Sequence, residues 1–532
     1  MTPRTTSVAM TAATAETVQA HIDRSDGQED VCLATYQPST GAKRTTALIT
    51  SVITPEAGER HVHGNASIEG EYVLRAASVA HQRGEGLALC HSHPGGSGWQ
   101  AMSAPDFDAE SSFANLVREI TGLPLVGITY AGRDRSWSAR HWDDGTGPDV
   151  SPTHCDNVRV IRDHLCITWN NELVPGTEAA RTQRRSVSCW GPEIHSDLVR
   201  RKVLVVGAGS VGLDIAVRLA ATGMTNVGVM DFDTVEPGNL DRLIGATPAD
   251  AALGRAKTDV ASRFMHAATT ANKPTFRFYD HSVCEPEGLA IALDHDVIIC
   301  CVDRPWPRIV LNQIAYTDLV PVIDGGISID VFDDGNGMRN ATWRSHVIRP
   351  GRPCLVCNEQ VDPSEVSLDI QGLLDDPDYI AGAGRTRGTG QNVALLSVSA
   401  AASLLAQFVS FNVAPGGIGD PGPLQYLLST HTLDHLAAAS RPSCPYEHAE
   451  ADGDRRQHLT GDHPAAAAHR AKRATAHAGG PTGWLDRFAD WIRRQADRRL
   501  RRRLDQLGEM PVAVAGRGRC QGDAMDRPPG RR

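Results

Sequence analysis

Aromatic residues are scarce, at 5% of the 532 positions. With so few large rings and abundant Ala, Gly and Arg, part of the chain is expected to be poorly ordered. Residues 1–28 are polar, with no apolar stretch behind their few charges, so no secretory leader is expected. The formal net charge of −10 argues against general nucleic-acid binding by the whole protein. The twelve cysteines are scattered, apart from Cys300 with Cys301 and Cys354 with Cys357. Without an export signal they read as reduced thiols or metal ligands of a cytoplasmic protein. One long apolar run, 393–411, carries four serines and Gln407; a buried helix is expected there, and no transmembrane segment. No internal repeat is visible.

What is present is ordinary globular content, 41% hydrophobic, in a chain long enough for two or three domains. Strands are expected at 31–36, 46–53, 87–93 and 124–131, with helices at 69–83 and 106–120, making a compact α/β module over 29–142. Residues 1–28 are expected to be flexible, and 143–185 to form a polar linker with a short helix. A second pattern begins at Lys202: strand 202–206, turn 207–212, helix 211–221, strand 227–231 and a later strand 296–302. Strand–helix alternation of this kind predicts a Rossmann-like doubly wound parallel sheet over 186–448. Residues 449–480 read as disordered. A last amphipathic helix near 483–507 carries Trp484, Leu485, Phe488, Trp491 and Ile492 on one face, then an Arg-rich half; docking of that stripe on the chain's own domains is preferred over an acidic partner, membrane or nucleic acid.

Two motif sets carry chemistry. His91 and His93 are two apart on a strand and project from one face. Asp106, opening the next helix, can supply a third ligand and leave a fourth position for water, the layout of a catalytic zinc. Ser103, one turn earlier, can donate to a developing oxyanion. The alternative is a surface histidine pair beside a Gly-rich turn. In the second set, Gly207, Gly209 and Gly212 let backbone approach phosphate at a helix N-terminus. Alone they suggest NAD as well as ATP. Asp231 ends the next strand, followed by Asn239, Arg242 and Lys257, and Asp303 follows a later strand. Cations that neutralise a triphosphate and an aspartate that holds magnesium suit an acyl-adenylate chemistry rather than hydride transfer. Cys354 and Cys357 are half of a structural zinc site; Cys444 and His448 can complete it, or the thiols are free. No cysteine lies between Asn358 and Ser443, and Cys189, Cys300 and Cys301 sit where inert thiols are expected.

The first set resembles the JAMM/MPN+ metalloproteases, which cleave (iso)peptide bonds after ubiquitin-like proteins. The resemblance implies zinc on His91, His93 and Asp106, with Glu29, next to Asp30, as general base. The spacing from His93 to Ser103 is two residues longer than in that family, in a loop holding Gly95, Gly96 and Gly98. The second set resembles the adenylation domain of the ThiF/MoeB/HesA ubiquitin-activating family. It implies that Asp231 binds ribose, that Asn239, Arg242 and Lys257 contact phosphates, that Asp303 ligates Mg2+, and that Arg185 reaches a partner subunit's ATP in a homodimer. Together they imply a bifunctional bacterial enzyme that adenylates the C-terminal glycine of a small ubiquitin-like or sulfur-carrier protein ending in Gly-Gly, and trims or removes that protein through zinc. The alternatives are a nucleotide-sensing scaffold with an inactive metal module and, last, an NAD-dependent oxidoreductase.

Overall fold

A strand that is polar in sequence lies in the middle of a sheet. Residues Thr5–Thr11 form β1, hydrogen-bonded in parallel to strands on both sides. The computed structural model describes residues 4–142, 151–332, 337–376, 392–437 and 439–478. In chain order the further strands of the first sheet are β2 (Val31–Thr40), β3 (Arg44–Ile53), β6 (Gly86–His93), β7 (Leu125–Ala131), β8 (Ser136–Trp142), β9 (Thr153–His154), β10 (Asn157–Ile161) and β11 (Leu165–Trp169). A two-stranded ribbon of β4 (Arg60–His63) and β5 (Asn65–Ile68) interrupts the series. The nine strands run in the order β11-β10-β1-β3-β2-β6-β7-β8-β9.

Two expectations fail here. Residues 5–22 are not flexible: β1 is followed by helix Ala12–Ile22, capped by Thr11, whose side chain accepts from the Thr14 N–H. Six consecutive residues of β1 are buried, because a central parallel strand is covered on both faces and need not alternate. Nor is 143–185 merely a linker, since β9, β10 and β11 extend the same sheet at its two ends. The helices Gly70–Arg83 and Ala104–Thr121 pack on one face against Val31, Leu33, Leu87 and Leu89.

The second sheet follows the expected parallel plan over its first five strands and departs from it in the last three. Strands β12 (Lys202–Val206), β13 (Asn226–Met230), β14 (Arg277–Tyr279), β15 (Val297–Cys300), β16 (Val322–Val331), β17 (Met338–Ile348), β18 (Leu424–Leu427) and β19 (Thr432–His435) run in the order β14-β13-β12-β15-β16-β17-β18-β19. The first five are mutually parallel, and the last three are added antiparallel. Helix Ser210–Thr222 packs on this sheet beside the long helix Ala394–Val413, which itself lies against β16 and β17. That helix is long and apolar enough to cross a membrane. Its polar Gln407 is buried and donates to the carbonyls of Ser345 and Gly422 at 3.2 and 3.0 Å, and Phe408 and Phe411 join the core, as a core helix requires.

Residues 449–469 also differ from the expected disorder. Ala449, Ala451 and Ala466 are buried. The Asp454 carboxylate accepts from the Thr40 N–H and hydroxyl at 2.8 and 2.6 Å, and His458 pairs with buried Asp318 at 2.7 Å. The charged residues that suggested solvation are used as ties to β2 and to the end of helix Pro305–Thr317. The helix around Trp484 and its Arg-rich half lie outside the described residues.

Asp296, at the start of β15 and fully buried, joins the two sheets. One oxygen lies 2.6 Å from Arg44 Nη1 and 3.0 Å from Arg159 Nη1. The other accepts from the Lys202 N–H at 2.9 Å. Burial opposes its charge, but Arg44, Arg159 and Lys202 hold the carboxyl well below the usual carboxylate range. Burial and Arg44 together pull the Arg159 guanidinium down to about 9, so it stays charged at neutral pH. Removing the carboxylate would strand two buried cations. Asp296→Asn is therefore expected to lower unfolding free energy by about 3–5 kcal/mol in urea titrations. The native contribution is present above the unfolded pKa near 3.9 and is lost as pH falls towards the depressed folded value. The acid-side loss of stability should accordingly be shallower in Asp296→Asn. Equal stabilities at pH 7 would contradict the assignment.

Candidate functional site

Strand β12 delivers the chain into the glycine loop at the C-terminal edge of the second sheet. Each glycine has its own reason. Gly207 has φ +96°, and a Cβ there would lie 2.7 Å from the Cys301 carbonyl oxygen. Gly212 passes so close to Gly207 that a Cβ would sit 1.9 Å from its carbonyl oxygen. Gly209 has extended backbone, precedes helix Ser210–Thr222 as its N-cap, and has open space where a Cβ would project. The first turn of that helix therefore offers free N–H groups to an anion.

Asp231 closes the base of this loop from the end of β13. Its carboxylate accepts from the Ala208 N–H at 2.6 Å and the Asp233 N–H at 2.7 Å. Burial raises its pKa, against the pull of Lys257. Lys257 opens helix Lys257–Ala268, and its Nζ lies 2.7 Å from Asp233 Oδ2. Burial works against the ammonium, but the charges of Asp231, Asp233 and Asp303 raise its pKa. Lys257, Asp231 and Asp303 thus meet at one edge, although 72 positions separate Asp231 from Asp303. Asp303 itself is exposed, beyond β15. Asn239 ends a short 3-10 turn and accepts from the Glu236 N–H at 3.0 Å. Arg242 is turned onto the Gly238 carbonyl and the Asp241 carboxylate. Arg185 is exposed on helix Arg184–Trp190, and among the described residues its side chain forms no hydrogen bond or ion pair.

Sequence reasoning left Asp233 without a role. The signal was there, because in the extended stretch after β13 residues 231 and 233 face the same side. Two further polar groups cover the start of the helix: Ser397 Oγ and Asn392 Nδ2 each lie 3.0 Å from Ser210 Oγ.

The first sheet brings together His91, His93 and Asp106, with one ligand atom of each within 4.8 Å of the others. His91 and His93 end β6, their rings 5.1 Å apart. Ser103 caps helix Ala104–Thr121 in a reciprocal box: its Oγ accepts from the Asp106 N–H at 3.3 Å, and Asp106 Oδ2 accepts from the Ser103 N–H at 2.9 Å. That box aims Asp106 at the histidines, whose Nε2 atoms lie 3.5 Å (His91) and 3.4 Å (His93) from its oxygens. Two ligands on tetrahedral zinc at 2.0–2.1 Å are about 3.4 Å apart, so the spacing suits that ion. Burial opposes ionisation of Asp106, yet hydrogen bonds from His91 and His93 hold it far below the usual carboxylate range. His93 is raised in return by Asp106, against burial. Thr129 Oγ1 lies 3.3 Å from His91 Nε2, and Gln100 Oε1 lies 3.3 Å from His93 Nδ1; neither was singled out from sequence.

Glu29 and Asp30 differ in what holds them. Asp30 is buried and tied to Arg24 at 3.3 Å and Arg60 at 3.1 Å. Glu29 is half-buried, close enough for its charge to act on His93, and among the described residues its carboxylate is in no ion pair. The free carboxylate is therefore the one named from sequence.

The thiol cluster departs from expectation in one ligand. Cys354, Cys357 and Cys444 come together with Glu447, not His448. His448 Nε2 is 2.8 Å from the Pro442 carbonyl oxygen, whereas Glu447, three residues after Cys444, returns on the same turn. The Cys354 and Cys444 sulfurs are 3.5 Å apart. The N–H groups of Cys357 and Arg441 point at the sulfurs of Cys354 and Cys357, each at 3.4 Å, donors that suit thiolate ligands. Cys189 is exposed, Cys300 is buried, and burial pushes both Cys300 and Cys301 well up.

Comparison with known proteins bears on the second sheet. The chain is 28% identical over 201 residues to a NEDD8-activating enzyme E1 catalytic subunit of Caenorhabditis elegans, covering 35% of this chain and 43% of that one. It is 32% identical over 114 residues to the adenylyltransferase and sulfurtransferase uba4 of Emericella nidulans, covering 21% and 23% respectively. The chain thus spans less than half the length of either curated relative. Among solved structures, E. coli MccB with ATP aligns at 18% identity and a TM-score of 0.37, over 51% of this chain and 76% of that one. Residues 181–439, which hold all of β12 to β19 and the glycine loop, match the ThiF family model, and this part of the chain is a ThiF family domain.

Proposed function

We propose that the ThiF domain adenylates the terminal carboxylate of a small ubiquitin-like or sulfur-carrier protein with Mg-ATP, and that the first sheet carries a zinc (iso)peptidase acting on the same carrier. The observation that carries the reading is Lys257, an ammonium held charged by Asp231, Asp233 and Asp303 beside the glycine loop. A dehydrogenase has no use for a half-buried cation there, whereas a triphosphate does. The relatives named for adenylyl transfer and for activation of NEDD8 support the same direction.

In this reading the loop N–H groups and the first turn of helix Ser210–Thr222 receive the phosphates. Asp231 holds the ribose. The carrier carboxylate attacks the α-phosphorus of ATP, a new O–P bond forms, and the bond to pyrophosphate breaks with its electrons on the leaving group. Lys257, with Arg242 once it swings from the Gly238 carbonyl, neutralises that leaving charge, while Asn239 orients it. Asp303 would hold magnesium, which supplies further neutralisation of phosphate charge. Arg185, exposed as it is, is free to reach across to a second subunit's nucleotide in a homodimer.

At the first sheet His91, His93 and Asp106 would hold zinc, which supplies a Lewis acid for a carbonyl and acidifies water. Glu29 accepts the proton of the attacking water and returns it to the leaving amine. Ser103 can donate its hydroxyl hydrogen to the developing oxyanion, since its oxygen, not its hydrogen, serves the helix cap. Cys354, Cys357, Cys444 and Glu447 would hold a structural zinc.

Carrier-dependent exchange of labelled pyrophosphate into ATP tests the first activity. Lys257→Ala and Asp303→Asn are expected to lower it by about 10²–10³, while His93→Ala leaves it intact. No exchange with any Gly-Gly-terminated carrier would overturn the adenylation reading.

Metal analysis by mass spectrometry tests the two clusters. His93→Ala or Asp106→Ala should release the ion of the first sheet alone. Glu447→Gln should weaken the thiol site, and His448→Ala should leave both sites filled. Loss of zinc in His448→Ala, or full zinc in His93→Ala, would contradict the ligand sets.

A further inference from the structure

Away from both sites, the turn between β10 and β11 assembles three side chains in a line. Asp163 Oδ1 lies 2.7 Å from His164 Nδ1, and His164 Nε2 lies 3.1 Å from Cys166 Sγ. We propose that Cys166, His164 and Asp163 form an activated-thiol site that accepts the acyl group of an ester or thioester. Nucleophile, base and orienting carboxylate each stand within hydrogen-bond reach of the next, the arrangement nucleophilic catalysis requires.

The site is accessible and firmly built. Strand β11 is the edge of its sheet, Cys166 and His164 are half-buried, and Asp163 is exposed. The turn is clamped from the other module. The Asp163 carbonyl accepts from the Asp420 N–H at 2.6 Å, and Gly419 packs so closely that a Cβ would lie 2.3 Å from that carbonyl oxygen and 3.1 Å from His164 Cβ. The preceding residue, Ile418, is 70% exposed, an apolar surface for an acyl chain. The hydrogen bond and charge of Cys166, with Asp163, push the His164 imidazole up to about 9 against burial. The other charges facing the group are Arg201, whose guanidinium senses Cys166, and Arg349, which senses Asp163 and is itself paired with Asp420 at 3.0 Å.

This is not the acceptor of an adenylate made in the same chain. Helix Ala394–Val413 meets the glycine loop through Ser397 and meets Arg201 through Asn412 at 2.6 Å, and Arg201 in turn donates to the Leu165 carbonyl. Ser397 and Asn412 are 15 positions apart, about 22 Å of helix rise. The thiol stands at the opposite end of the parallel strands from the glycine loop, so the site acts independently of the adenylation reading.

The step is an acyl transfer. The Cys166 thiolate attacks the carbonyl carbon and a C–S bond forms. The tetrahedral adduct collapses, the C–O or C–S bond to the leaving group breaks, and the leaving group departs with its electron pair and the proton of His164 Nε2. Water then releases the acid, with His164 taking the water's proton and Cys166 leaving as thiolate. Asp163 holds Nδ1 throughout.

The full chain is treated with iodoacetamide across pH 5–10 and, separately, with p-nitrophenyl acetate, and the modified peptides are identified by mass spectrometry. At pH 7 Cys166 should be alkylated about tenfold faster than exposed Cys189, the gain expected of a thiol with an imidazole base within hydrogen-bond reach. His164→Ala should bring the alkylation rate of Cys166 down to that of Cys189 and abolish acetylation of Cys166. Asp163→Asn, at an exposed position, gives a smaller loss in the same direction and keeps the test valid if His164→Ala does not fold. Alkylation of Cys166 no faster than Cys189, or release of p-nitrophenol at an equal rate from the natural chain and from Cys166→Ser, would overturn the proposal.

Discussion

The buried carboxylate of Asp296 is the constraint on which the arrangement of the two sheets depends. It reaches Arg44 on β3, Arg159 on β10 and the backbone of Lys202 where β12 begins. A single negative charge shared by two fully buried guanidinium groups is expensive to assemble, since each ion must leave water. It is tolerated because neighbouring carbonyls take up other donors: the carbonyls of Leu293 and His295 receive Arg44 Nη2. Lys43 and Arg44 add backbone bonds to Asp294 at 2.8 and 3.0 Å. Together with Ser39 on Asp318 at 2.8 Å, these ties fix the sheet that carries the histidines against the sheet that carries the glycine loop. Any substrate served by both sites therefore meets two edges held in one rigid relation.

That rigidity places the two candidate sites at separate edges. The glycine loop, Asp231, Lys257 and Asp303 occupy the C-terminal ends of β12, β13 and β15, where open α/β sheets bind ligands. The histidines end β6 in the other sheet. A flexible carrier terminus, rather than a moving domain, would have to travel between them.

The sequence was readable where local rules and tertiary demands agree. The glycine loop, Asp231 at a strand end and the histidine pair two residues apart each express backbone geometry over a few positions, so their motifs survive in the linear text. The core role of helix Ala394–Val413 was legible because its serines and Gln407 betray polar partners. β1 was missed because Thr5, Thr6, Ser7 and Thr11 look like surface residues, yet Ser7 meets Thr46 across β3 at 2.9 Å. Its burial comes from neighbours at 44–48 and 158–161, which no local window contains. Residues 449–469 were missed for the same reason, their ties being to positions as distant as Thr40. Glu447 was passed over for His448 because ligand preference was weighed without the phase of the turn. Asp163, His164 and Cys166 lie within four residues, but their alignment depends on a hairpin clamped by Gly419.

The account's central claim is that Lys257 and its carboxylates serve a triphosphate. Isothermal titration of the full chain with Mg-ATP and with NAD addresses it most directly. Saturable ATP binding that is lost in Lys257→Met, with no binding of NAD, is the predicted result. Saturable NAD binding without ATP binding, or ATP binding unaffected by that substitution, would contradict it.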